Sequence, residues 1–331
     1  MNETFKALIV RKDGLNFTRS IEKRSISDLP KGDVLIRVHF SSLNYKDGLS
    51  SSGDITVTRH YPHTPGIDAA GIVEFSSDSR FSTGDQVVVI SFDLGANTPG
   101  GFGQFIRVPA NWVMPLPEGL SLRESMIYGT AGYTAGLAVS LLQNQEITPK
   151  TGPIIVTGAS GGVGSVSVSL LSELGYIVSA SSGKENAKDF LIKLGASEVI
   201  GREAVNDETG RTLLKETWAG AIDTVGGNTL VTIIKSTKLR GAVISVGLVS
   251  SPSLHTSVFP FILRGISLQG TGAGETTMLK RIEIWSKLAK KWKPKNLNYL
   301  AIDSNLEQLN SEIDKILIGN QKGRVVIDMR T

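Results

Sequence analysis

The chain has no cysteine among its 331 residues. That excludes disulfides, iron–sulfur clusters, cysteine-ligated zinc and thiolate nucleophiles together. Histidine is scarce too: only His39, His60, His63 and His255 are present, and none has metal-ligand spacing. His60 and His63 come closest, but Pro62 stands between them. No apolar run is long enough to span a bilayer, and the first residues, with Glu3 and Lys6, lack the apolar run of a signal peptide. No membrane partner is expected, and the cytoplasm is the default compartment.

What is present is an ordinary globular composition. Hydrophobic residues make up 40% and charged residues 20%, enough for a large core in one or two domains. Net charge is +4, part of it in Lys287-Leu288-Ala289-Lys290-Lys291-Trp292-Lys293-Pro294-Lys295. That cluster reads as a solvated helix face or end with Trp292 packed inward, so no nucleic-acid partner is expected. A modest basic excess also suits phosphorylated small molecules.

The first third is β-rich. Residues 5–10 and 34–40 read as strands, a proline-bounded loop from Pro62 leads into another near Ile72, and two more end at Ile90 and Val108. Short strands with frequent turns predict a barrel-like unit. A short helix starts near Asn44 to Asp47. From Ser121 the texture changes to a helical pair with small residues inside, then to alternating strand and helix. Candidate strands are 154–157, 176–180, 197–200, 219–223, 242–246 and 266–269, a doubly wound parallel sheet. Helices are expected at 278–292 and 305–318, then a closing strand Arg324 to Asp328 that returns to the first domain. The expected division is 1–122, completed by 270–331, and 123–269.

The sheet opens on Ile154-Ile155-Val156-Thr157-Gly158-Ala159-Ser160-Gly161-Gly162-Val163-Gly164. A buried strand runs into a glycine turn and a helix. Helix N-termini offer bare N–H groups and a positive dipole end, and glycine lets the backbone approach a phosphate closely. Gly161, Gly162, Val163, Gly164 and Ser165 are therefore candidate cofactor contacts. The turn also fits the short-chain dehydrogenases. Their downstream Tyr-x-x-x-Lys is missing, since Tyr176 and Tyr299 are followed four residues on by Ala180 and Asp303, and about 150 residues precede the turn.

An NAD enzyme usually places an acid about 20 residues beyond these glycines, at the second strand end. Here that end reads Ser179-Ala180-Ser181-Ser182-Gly183-Lys184. A carboxylate would repel a 2′-phosphate, whereas Ser181, Ser182, Gly183 and Lys184 suit one. Arg202, after the third strand, is a second candidate cation. The expected cofactor is NADP(H). Asp223-Thr224-Val225-Gly226 and Val246-Gly247-Leu248 end later strands in glycine turns along the same crevice, which makes Gly247 and Leu248 further candidates.

These motifs, behind a β-rich part carrying Pro65-Gly66-Ile67-Asp68-Ala69-Ala70-Gly71, resemble the medium-chain dehydrogenase/reductase superfamily over nearly the whole chain. Ser41-Ser42-Leu43-Asn44-Tyr45-Lys46-Asp47, Ala219 to Gly226 and Pro260-Phe261-Ile262-Leu263-Arg264 resemble its quinone oxidoreductase family, the acryloyl-CoA reductase-like branch. The resemblance implies a Rossmann doubly wound sheet plus a β-rich GroES-like barrel domain. It also implies a nicotinamide-side helix at Thr130 to Ala135 with Thr134 as a contact, a further contact at Ile262, and a homodimer paired by sheet edges around Val258 to Gln269. Zinc members of the superfamily carry cysteine where this chain has Asn44 or Tyr45, and a Gly-His-Glu motif where it has Gly66-Ile67-Asp68. No metal is expected.

Without a Lewis acid to polarise an alcohol, the expected reaction is hydride transfer to an already activated acceptor, an enoyl thioester such as acryloyl-CoA. Tyr45 is expected to contact the cofactor, with proton donation as its alternative role, and Asn44 is a candidate carbonyl donor. A quinone reductase is the second reading. A non-enzymatic dinucleotide-binding structural or nucleic-acid-binding protein is the third.

Overall fold

The computed structural model describes residues 3–331. The chain forms two compact units. One is the chain up to Thr130 with Thr277–Ile282 and Ala301–Thr331; the other is Ala131–Thr276 with Glu283–Leu300.

In the first unit, β1 (Thr4–Asp13) and β2 (Asn16–Ser25) make an antiparallel hairpin around Gly14, whose φ of 59° suits glycine. β2 carries no strand signal in the sequence: Phe17 and Ile21 are its only large apolar residues, and it is exposed or half-buried throughout. Then follow β3 (Val34–Ser42), the short helix α1 (Tyr45–Ser52), β4 (Asp68–Ser76), β5 (Gln86–Ile90), β6 (Phe105–Val108) and β7 (Met114–Pro115). β3 alternates: Val34, Ile36 and Val38 face the main core with Val87, Val89 and Ile106, while Leu35 joins Phe5, Ile9 and Phe105 on the other side. Helix α2 (Leu122–Asn144) is interrupted at Gly129, whose φ of 52° and ψ of −155° are not helical.

The second unit holds a six-stranded parallel sheet. Its elements are β8 (Ile154–Val156), α3 (Gly162–Glu173), β9 (Val178–Ser181), α4 (Lys188–Lys193), β10 (Glu198–Ile200), β11 (Trp218–Asp223), α5 (Gly227–Ser236), β12 (Thr237–Ser245), α6 (Phe259–Arg264) and β13 (Ser267–Gly270). The spatial order β10-β9-β8-β11-β12-β13 is that of a doubly wound dinucleotide fold, with the reversal between β8 and β11. Ile154, Ile155 and Val156 are all fully buried, as strands covered on both faces must be.

After α7 (Met278–Ala289) come β14 (Ala301–Asn305), α8 (Leu309–Leu317) and β15 (Arg324–Asp328). β15 pairs antiparallel with β3 and parallel with β14, giving the sheet order β14-β15-β3-β4-β5-β7, with β6 also on β3. The closing strand therefore returns to the first unit. The expected assignment of everything after 269 to that unit does not hold for 270–276 or for Glu283–Leu300, and 123–130 fall in the first unit rather than the second. Ile284, Leu288 and Trp292 are buried in the second unit, where Gly136 of α2 leaves room for Ile284 and Leu288. The basic cluster has the expected form: Trp292 is buried, and Lys287 lies 5.0 Å from its ring centroid while pairing with Glu283 at 2.6 Å.

Candidate active site

In the first unit, antiparallel pairing brings three strand ends together: the end of β3 at Ser42, the start of β4 at Asp68 and the start of β15 at Arg324. Asp68 is fully buried. Its Oδ2 accepts from Ser42 Oγ at 2.6 Å and Asn44 Nδ2 at 2.7 Å, and its Oδ1 accepts from Thr130 Oγ1 at 2.6 Å. The Thr130 N–H adds bonds of 3.0 Å to both oxygens. The break at Gly129 turns that N–H inward, and a Cβ on Gly129 would run into Asp68, Ser42 and Arg324. The Arg324 guanidinium, also buried, lies 3.8 Å from Asp68 Oδ2 and donates to Ser42 Oγ at 2.9 Å, Asn44 Oδ1 at 3.1 Å, Leu43 O at 3.2 Å and Ile127 O at 3.0 Å.

Asp47, in the first turn of α1, is buried next to this cluster. It accepts from Asn44 N at 2.8 Å, Ile67 N at 2.8 Å and Gly66 N at 3.2 Å, so it caps the helix in which it lies. Burial, and then the Asp68 charge, push its carboxyl up to about 7. Burial also lowers the Arg324 pKa, against the opposing pull of Asp68 and Asp47.

Asn44 is buried, and its amide is engaged on both sides, by Asp68 and by Arg324. Both ends of the amide of Asn44, expected as a carbonyl donor, are thus taken up by the cluster in this structure. Tyr45, the first residue of α1, is exposed, and its hydroxyl makes no hydrogen bond among the described residues.

In the second unit, the glycine turn leads from β8 into α3 without any side-chain cap, so the first N–H groups of the helix, at Gly162, Val163 and Gly164, have no intrahelical acceptor. A Cβ on Gly164 would meet the backbone of Gly158 and lie 2.7 Å from Ala159 Cα, so glycine is required for the helix to pack this close to the turn. Ser165 is buried, its Oγ 3.3 Å from Gly162 O. The second strand end is tied to the same turn. Ala159 N donates to Ser181 O at 3.0 Å, Ser182 Oγ donates to Ser160 Oγ at 3.1 Å and accepts from Lys184 N at 3.2 Å. Gly183 is exposed and backed by Arg202, whose guanidinium lies where a Cβ would stand. Ser182, Gly183, Lys184 and Arg202 thus share one rim next to the α3 N-terminus.

Gly247 and Leu248 border a cleft of about 320 Å³ at the carboxyl ends of β11, β12 and β13. Thr134 is buried on α2, and Ile262 is exposed on α6. Arg264, quoted with Ile262 in one motif, has a structural job: its guanidinium donates to Lys235 O at 2.7 Å, Thr237 O at 3.1 Å and Leu214 O at 2.6 Å, closing the end of α5.

Ser42, Thr130 and Arg324 join the site, though no motif in the sequence marks them as site residues. A signal existed for Arg324. A lone cation opening the apolar strand Val325-Val326-Ile327 must be buried with a carboxylate partner. Ser42 and Thr130 carry no such mark, since hydroxyls are common in turns.

The chain is similar to known proteins in sequence and fold. Residues 30–118 match the alcohol dehydrogenase GroES-like domain, and residues 162–290 match the zinc-binding dehydrogenase domain. Acrylyl-CoA reductase AcuI of Ruegeria pomeroyi is 40% identical over 327 residues, 98% of this chain and 99% of that protein. The chain belongs to the medium-chain dehydrogenase/reductase family, in its acryloyl-CoA reductase-like branch. YhfP of Bacillus subtilis, provisionally named a quinone oxidoreductase, is 41% identical over 99% of this chain and 100% of its own length. Its crystal structure with NAD bound aligns at a TM-score of 0.96, covering 98% of this chain and 99% of that one. The yhdH oxidoreductase of Salmonella enterica, solved in complex with NADP, is 40% identical with a TM-score of 0.95, covering 98% of this chain and 100% of that one.

One domain description names zinc, and the residues do not fit it. Every oxygen of Asp68 is already engaged by hydroxyl, amide and backbone donors, with Arg324 supplying the positive charge. Asn44 points its amide nitrogen, a donor, at the same carboxylate, and the chain has no cysteine to supply a thiolate. No group of three or more metal-ligating side chains occurs among the described residues. The dinucleotide fares differently. The uncapped α3 N-terminus, the glycines and the Lys184–Arg202 rim fit a pyrophosphate and a 2′-phosphate.

Proposed function

We propose that the chain is an NADPH-dependent reductase that delivers hydride to an activated alkene, an enoyl thioester of the acryloyl-CoA type, without zinc. The observation that carries this reading is Asp68 closed off by Arg324, Asn44, Ser42 and Thr130. With no Lewis acid to draw charge from an alcohol oxygen, the acceptor must arrive already polarised, as a conjugated thioester does. Likeness to AcuI along almost the full length supports the same acceptor class.

On this reading the second unit holds the cofactor and the first supplies the chemistry around the acceptor. The α3 N-terminus and Gly161 to Ser165 take the pyrophosphate; Ser181, Ser182, Gly183, Lys184 and Arg202 take the 2′-phosphate; Thr134, Gly247, Leu248 and Ile262 flank the nicotinamide half. Bound there, the reduced nicotinamide supplies the hydride. Tyr45, exposed at the α1 N-terminus with its hydroxyl unengaged, contacts the cofactor, with donation of the α-carbon proton as its alternative role. Asn44 positions Tyr45 by fixing the first turn of α1. The exposed apolar residues Val258, Phe259, Ile262 and Leu263, beside the edge strand β13, suit a second copy of the chain, a homodimer.

The acceptor screen tests the reading. Acryloyl-CoA and a small quinone are each supplied with NADPH and with NADH, and nicotinamide oxidation is followed. The expected result is fastest turnover with acryloyl-CoA and NADPH. The second reading, a quinone reductase, rests on the likeness to YhfP. It wins if the quinone alone is reduced, and tight NADPH binding with no acceptor turned over favours a non-enzymatic role.

A further inference from the structure

Asp223 is fully buried at the end of β11, and no cation pairs with it among the described residues. Burial without a counter-charge is costly and pushes its carboxyl pKa up, so the fold retains this group against a penalty. What it receives are N–H and O–H donors. Oδ1 accepts from Thr157 Oγ1 at 2.6 Å, and Oδ2 accepts from Gly226 N at 2.8 Å.

Those donors come from the two sides of the topological reversal. Thr157 opens the glycine turn after β8, and Gly226 ends the turn after β11. Thr224 completes the link. Its N–H donates to Thr157 Oγ1 at 3.1 Å, and its hydroxyl donates to Thr157 O at 2.9 Å. The Thr157 hydroxyl is therefore a relay, accepting from Thr224 and donating to Asp223. Directly after it, Gly158 adopts φ 56°, and a Cβ there would strike the Thr224 side chain. The first residue of the anion-binding turn is thus clamped to the neighbouring strand. An asparagine at 223 would set its own N–H₂ against a donor and break the pattern.

We propose that Asp223 is a positioning residue for the phosphate-binding turn, acting through the Thr157 hydroxyl to set where the α3 N-terminus points. The inference rests on the dinucleotide reading above. It predicts a loss common to every ligand that shares the pyrophosphate, unlike the 2′-phosphate rim, which discriminates between NADPH and NADH.

Calorimetric titration of NADPH, NADH and ADP-ribose into wild type, Thr157→Val, Thr157→Ser and Asp223→Asn, with melting temperatures alongside, tests it. Thr157→Val is expected to weaken all three ligands by a similar factor, roughly tenfold, the size of one hydrogen bond to a charged group. Asp223→Asn should do the same, and Thr157→Val keeps the test alive if Asp223→Asn fails to fold. Thr157→Ser should bind like wild type. Unchanged affinities with a lowered melting temperature would assign the clamp to stability alone and overturn the proposal. So would a loss confined to NADPH, or a serine variant as weak as the valine one. Wild type that binds none of the three overturns the dinucleotide reading as well, and that result is read before any variant is made.

Discussion

The acid–arginine cluster of the first unit and the glycine rim of the second both gather charge at strand ends, with opposite designs. At Asp68, charge is buried and answered internally, by a guanidinium, two hydroxyls, an amide and a backbone N–H. At Lys184 and Arg202, cations stand on the rim of a turn whose first helical N–H groups lack intrahelical acceptors. The first is satisfied within the fold, and on the proposed reading the second takes an anion at the uncapped helix N-terminus. A closed cluster governs stability and the placing of nearby groups, whereas an open one governs affinity.

Removing Arg324 should therefore give the largest effect on folding. Arg324→Met leaves Asp68 buried with its counter-charge gone, and breaking such a pair costs about 3–5 kcal/mol. Adding Asp68→Asn should recover part of the loss, because the uncompensated charge disappears. Urea unfolding of the single and double variants measures both. A single-variant cost below about 1 kcal/mol would mean that the hydroxyl and amide donors alone satisfy Asp68.

The open rim should respond in affinity and leave stability nearly untouched. Lys184→Glu places a carboxylate where a 2′-phosphate is expected. The KM for NADPH should rise by one to two orders of magnitude, about 1.4 to 2.8 kcal/mol, while that for NADH stays close to wild type. Steady-state kinetics with both cofactors reads the ratio. Equal changes would remove the 2′-phosphate assignment and blur the contrast with the Thr157–Asp223 clamp.

The two sites also differ in how plainly the sequence declares them. The second unit is built from contiguous signals: an apolar strand, four glycines, a helix, then a strand end without an acid. Local rules of turn and helix chemistry reach all of it. The first site is assembled from Ser42, Asp68, Thr130 and Arg324, separated by up to 282 positions. Only the pairing of β15 with β3 brings the last of them in, and periodicity carries no information about that register. Strand β2 is illegible for another reason, since a mostly polar strand on a hairpin edge shows no apolar alternation. Arg264 shows that a motif marked by family resemblance also holds structural residues, since its guanidinium ties Leu214, Lys235 and Thr237 together.

The smallest effect is one of sign. Asp47 sits beside the closed cluster with its carboxyl raised from 3.8 to about 7, by burial first and by Asp68 second. Between those pH values the folded chain holds a proton that the unfolded chain has lost. Stability from this group therefore falls as pH rises from about 4 to about 7, then levels off. Surface acids pull the other way: Arg11 holds Glu22, and Arg80 holds Asp78, at about 2. The net profile of wild type mixes both, so the informative quantity is the difference between wild type and Asp47→Asn, whose amide does not titrate. That difference, from urea midpoints at several pH values between 4 and 8, should shift against wild type as pH increases. A difference that is flat with pH would mean that the N–H groups of Asn44, Gly66 and Ile67 hold Asp47 ionised in the fold, and that Arg324 answers two buried carboxylates at once.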